Sequence, residues 1–113
     1  MKEIILEACV DSVEAALAAE AAGADRLELC AALELGGVTP SPGLIQMVCE
    51  RVSIPVQVLV RPRPGNFVYS QLEVEVICQD VEWIAGTSAS GVVVGALDEN
   101  GGLDLDAIGR IGD

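Results

Sequence analysis

Short apolar runs alternate with amphipathic stretches along the whole chain. Ile4 to Val10, Arg26 to Cys30, Pro55 to Val60 and Gly91 to Leu97 are apolar or alternating and bounded by turn-forming residues, so each predicts a strand. The last is nearly continuous in apolar residues, the pattern of a strand covered on both faces. Between the strands the period lengthens to that of a helix. Asp11 predicts an N-cap, with Glu14 completing a capping box, for a helix through Val13, Ala16, Leu17 and Glu20 that stops at Gly23. Ser41-Pro42 opens a second helix with Leu44, Ile45, Val48 and Val52 as its apolar stripe. Ser70 opens a third, with Leu72, Val76, Ile77, Val81 and Ile84 on one face, and Leu105 to Ile111 predicts the start of a fourth.

A strand followed by a helix, repeated almost four times, predicts an α/β fold with a parallel sheet. Two closures are compatible with the pattern: an open doubly wound sheet, or part of an eight-stranded barrel, which typically takes about 250 residues. Four units in 113 residues correspond to half of such a barrel. The expectation is therefore a single domain over residues 1–113, a partial TIM-type barrel of about four strands truncated from a longer (β/α)8 chain. Such a half-barrel exposes the edges of strands 1 and 4. Unpaired edges invite association, so a homo-oligomer is expected, with two copies approximating a closed barrel.

Composition narrows the function classes. Half of the chain is hydrophobic, which sets it apart from disordered segments. A formal net charge of −12 without a basic stripe argues against nucleic acid as a partner. No apolar run approaches the roughly 18–20 residues of a membrane span, and the N-terminus lacks the pattern of a secretory signal. A cytoplasmic protein is the expectation, and four cysteines in an Ala-rich α/β pattern suggest reduced thiols rather than a disulfide framework.

Candidate chemistry comes from an echo between the first two strands. Leu6-Glu7-Ala8-Cys9 recurs 21 residues later as Leu27-Glu28-Leu29-Cys30. In each copy a carboxylate and a thiol stand two positions apart, hence on one face of the strand. Side by side, Cys9 and Cys30 would suit a soft metal such as Cu(I), or half of a zinc site; alternatively, both simply pack as small apolar residues. Glu7 and Glu28 would either form a functional pocket, one acting as a general base, or be neutralised by Arg26, Arg61 or Arg63. Arg61 and Arg63 follow the third strand, at the end where barrel sites assemble, and suit a small anionic ligand. Cys49 and Cys78 fall within helices and are expected to be core. The acidic run from Asp98 to Asp104 has Leu103 where a calcium loop needs glycine, and reads as a solvated turn. With no histidine in the chain, no nucleophilic triad is assigned, and no catalytic residue is named.

Leu6 to Ser12, Gly23 to Cys30, Gly36-Gly37-Val38-Thr39-Pro40-Ser41, Ile54-Pro55-Val56, Arg61-Pro62-Arg63, Phe67-Val68-Tyr69-Ser70 and Gly95-Ala96-Leu97-Asp98 with Gly101 resemble, in order, motifs of the copper homeostasis protein CutC family. The resemblance implies a TIM-type barrel of roughly twice this length, of which this chain is the N-terminal half. It also implies a cytoplasmic role in copper handling, with Cys9 and Cys30 as the metal-binding pair and binding rather than catalysis as the class of activity. One loop departs from the family's Arg-Pro-Arg-Gly-Gly-Asp-Phe: here it reads Arg61-Pro62-Arg63-Pro64-Gly65-Asn66-Phe67, stiffened by Pro64 and lacking a carboxylate at Asn66. The alternative function is a barrel enzyme or binding protein using Glu7, Glu28, Arg61 and Arg63 around a small anion.

Overall fold

A computed structural model describes residues 3–113. Four strands, β1 (Glu7–Val10), β2 (Arg26–Leu29), β3 (Val56–Leu59) and β4 (Gly91–Val93), form one parallel sheet in the order β1-β2-β3-β4. Helices α1 (Val13–Ala21), α2 (Pro42–Arg51), α3 (Gln71–Ala85) and α4 (Leu105–Gly112) follow them in turn. Sequential order with parallel pairing throughout is the (βα) repeat of a partial TIM-type barrel. Among the described residues, β1 and β4 each pair on one side only.

Alternation along the strands separates two faces. Ala8, Val10, Leu27, Leu29, Val56, Val58, Val60 and Val92 point to the helices, and Leu27, Leu29 and Val58 are wholly buried there with Ile45, Val48 and Ile77. Burying each such side chain contributes about 1.5–3 kcal/mol. The opposite, concave face carries Glu7, Cys9, Arg26, Glu28, Cys30, Gln57 and Leu59. A small second cluster, Val74, Ala96 and Ala107, seats α4 against α3.

Several boundaries differ from the expected ones. The first strand begins at Glu7, not Ile4; Ile4, Ile5 and Leu6 are exposed, and the Leu6 amide donates to the Asp25 carboxylate at 2.7 Å rather than to a ladder. The fourth ends at Val93, not Leu97. Its partner β3 turns away at Arg61-Pro62, leaving Leu97 to bridge antiparallel to Leu103. The N-cap of α1 is Ser12, whose hydroxyl accepts from the Ala15 amide at 3.0 Å, not Asp11. Gly23 does take the left-handed conformation after α1, at φ +103°. At α3 Ser70 opens the helix as expected, and the structure adds a reciprocal capping box with Glu73. The expected stripe of α3 splits, however. Ile77 and Ile84 are buried together with Val74, which the stripe did not include, whereas Leu72 and Val76 lie on the solvent side. Cys49 and Cys78 are half-buried and pack against the core.

Candidate functional site on the concave face of the sheet

The two echoed motifs do not align with each other. Their sequence offset is 21, but the ladder pairs Glu7 with Arg26, Ala8 with Leu27, Cys9 with Glu28 and Val10 with Leu29. The slip of two residues reflects the stagger of tilted strands in a curving sheet. Because two is even, every side chain keeps its face while its neighbour changes. Each carboxylate thus meets something other than the carboxylate expected beside it.

Glu7 is neutralised by Arg26, whose Nε donates to Oε2 at 2.6 Å. Glu28 instead faces Cys9, and the exposed thiol donates to Glu28 Oε2 at 3.2 Å. That hydrogen bond, followed by burial and by the negative charge of Glu28, pushes the Cys9 thiol up to about 11. Cys9 is therefore a protonated thiol at neutral pH, and any metal it takes must displace the proton.

Cys30 stands one step beyond the ladder. Its amide donates to the Val10 carbonyl at 3.0 Å and its thiol to the same oxygen at 3.6 Å. It is buried, and burial, followed by the charges of Glu28 and Asp11, pushes its thiol up. Gly37 closes over it: at φ +91°, an added Cβ would lie 3.4 Å from the Cys30 sulfur and 3.0 Å from Leu59 Cδ2. Only glycine combines that conformation with that approach.

Cys9 and Cys30 are thus diagonal neighbours on one face. Strand spacing and rise put their Cα atoms about 8 Å apart, beyond the span of an unstrained disulfide. A single ion bridging two sulfurs tolerates a longer separation than an S–S bond does. One thiol is solvent-facing and one lies under a loop, and thiols are soft donors of the kind that Cu(I) prefers. Among the described residues, no group of three or more His, Cys, Asp or Glu side chains is arranged to hold a metal ion.

Gln57 completes the row Cys9–Glu28–Gln57–Gly91 across all four strands. Its amide lies over Gly91, where an added Cβ would collide with Gln57 Oε1. Sequence reasoning passed over it. The available signal was a lone polar residue between Val56 and Val58 in an otherwise apolar strand.

Arg61 and Arg63 occupy the loop after β3, and their hydrogen bonds and ion pairs go to that loop and its neighbours rather than to Glu7 or Glu28. Arg61 is nine-tenths buried. Its Nη1 donates to the carbonyls of Leu35 (3.2 Å) and Gly37 (2.8 Å), and its Nη2 to that of Gly65 (2.8 Å). Its guanidinium also lies 5.0 Å from the Phe67 ring centroid. It clasps the β2–α2 loop to the β3–α3 loop and so holds Gly37 over Cys30. Arg61 Nε and the Tyr69 hydroxyl are buried without a geometric hydrogen-bond partner among the described residues. Arg63 forms a bidentate pair with Glu73 at 2.5 and 3.3 Å and donates to the Asn66 and Val68 carbonyls at 2.7 and 2.8 Å. Asn66 also works through its side chain, accepting from the Val68 amide at 3.1 Å. The guanidinium pair therefore spends most of its donors on loop architecture.

The chain is 51% identical over 102 residues to the human copper homeostasis protein cutC homolog, covering 90% of this chain and 37% of that protein. It is 53% identical over 100 residues to the CutC family protein of Xanthomonas axonopodis pv. citri, covering 88% and 42%. The chain thus spans less than half the length of these relatives. The crystal structure of the CutC protein from Streptococcus agalactiae superposes with a TM-score of 0.89 at 33% identity, over 96% of this chain and 53% of that one. The CutC family model matches residues 4–112. With the fold, the spaced motifs and nearly every residue accounted for, the chain belongs to the CutC family of copper homeostasis proteins.

Proposed function

We propose that this chain binds copper as Cu(I) through Cys9 and Cys30, in the reducing setting of the cytoplasm, as cargo rather than as a catalytic cofactor. The observation that carries the proposal is the placement of the two thiols as diagonal neighbours on one face, with neither in a disulfide. Glu28 stands beside Cys9 and accepts a hydrogen bond from its protonated thiol. The copper homeostasis role named for the human relative supports the choice of metal. The polar concave face, with β1 and β4 each paired on one side only among the described residues, supports association with another copy of the chain.

Anaerobic Cu(I) titration against a competing chelator tests the binding. Tight uptake of one ion, weakened in Cys9→Ser and in Cys30→Ser and abolished in the double variant, is the expected result. Unchanged affinity in the double variant would overturn it. Light scattering at micromolar concentration tests the assembly: a dimeric mass is expected, and a monomeric mass removes the second copy.

A further inference from the structure

We propose that the outer groove between α2 and α3 is a docking site for a cationic amphipathic helix of a partner protein. The groove lies on the helical side of the sheet, away from Cys9 and Cys30, so it is independent of metal binding.

α2 packs chiefly on α1, and α3 on α4, which leaves a trough between α2 and α3. Two cavities of about 410 and 300 Å³ run along it and share Trp83. The nearly inaccessible Ile45 and Ile84 line the smaller one. Trp83 is 44% exposed, and the apolar surface continues along α3 through Val76 at 49% and Leu72 at 73%. Positions 72, 76, 80 and 83 follow helical spacing and share one face. The position between the apolar ones is Asp80, half-buried and without an ion-pair partner among the described residues. Burial pushes its carboxyl pKa up. Glu50 and Glu75 border the same surface, and among the described residues no Lys or Arg lines it.

This surface is unfavourable in water on two counts: contiguous apolar area is exposed, and a carboxylate is partly desolvated without a counter-charge. A partner helix with Leu-type residues at i and i+4 and a Lys or Arg meeting Asp80 answers both. A second copy of this chain answers only the first. In a two-fold contact the same stripe would bring the like-charged Asp80 side chains into one interface. The net charge of −12 steers a cationic partner rather than an acidic one.

Trp83 is the only tryptophan, so its emission reports on the groove directly. The probes are a synthetic Leu/Lys amphipathic helix of about five turns and its Leu/Glu counterpart. The Leu/Lys peptide should shift Trp83 emission to the blue saturably, and less so as salt rises. Asp80→Asn should weaken binding by about two- to fivefold. The double change Leu72→Ser, Val76→Ser, at solvent-facing positions that the fold tolerates, should weaken it at least about tenfold. Glu14→Gln, an exposed carboxylate on α1, should change nothing. Equal binding of the Leu/Glu peptide, equal weakening by Glu14→Gln, or no saturable shift would overturn the proposal. So would a blue shift that grows with protein concentration alone, which would make a second copy the occupant.

Discussion

Cys9 lies across the ladder from Glu28 and gives its thiol hydrogen to that carboxylate at 3.2 Å. The relationship joins a soft ligand to a hard base. Its consequence is a thiol held protonated well above neutral pH.

Glu28→Gln removes the charge and the strongest acceptor facing Cys9. The Cys9 pKa should fall from about 11 toward the ordinary value of 9.0. The rate of alkylation against pH, measured in a Cys30→Ser background, reads this directly. An unmoved profile would show that Glu28 does not control the thiol.

The same shift links stability to alkaline pH. The fold favours protonated Cys9, so the folded pKa lies above the unfolded one. Its contribution is complete below about pH 9 and is lost as pH rises through about 11. Cys30, Cys49 and Tyr69 are shifted in the same direction, chiefly by burial, and add to the loss. Urea midpoints taken under reductant should decline across this window, and less steeply in Cys9→Ser. A midpoint that rises there contradicts the assignment.

Arg61 is a buried connector rather than a surface cation. Arg61→Ala strands the carbonyls of Leu35, Gly37 and Gly65 and should cost about 2–4 kcal/mol in chemical denaturation. Arg61→Lys should rescue little, because a single ammonium cannot reproduce a planar fork spanning two loops. Full rescue by lysine would mean that charge alone matters.

The helix cap separates two adjacent residues. Ser12→Ala should cost about 1 kcal/mol by removing the acceptor for the Ala15 amide. Asp11→Ala should cost less, since the Asp11 carboxylate only reaches the Leu33 amide at 3.5 Å. The reverse order would return the cap to Asp11.

Much of the architecture is local in origin and legible along the chain. Ser41-Pro42, Ser70 and Gly23 declare helix ends by short-range hydrogen bonding and backbone sterics, and each acts as expected. The four (βα) units follow from alternation alone. The adjacent pair Asp11 and Ser12 shows the limit of this logic: both suit an N-cap, and the path of the chain out of β1 chooses between them.

The amino-acid sequence by itself determined the order of elements, the parallel α/β class and which side chains share the concave face, because strand parity is a local property. It did not determine which of those side chains meet. That depends on register, a relation between strands distant in sequence, set by the stagger of the sheet and the packing of helices behind it. The tertiary structure alone therefore paired Cys9 with Glu28 and Glu7 with Arg26. It placed Cys30 under Gly37, and committed Arg61 and Arg63 to the loops. It likewise turned Leu72 and Val76 outward, since helical spacing marks an apolar stripe without saying which part of it the neighbouring elements reach.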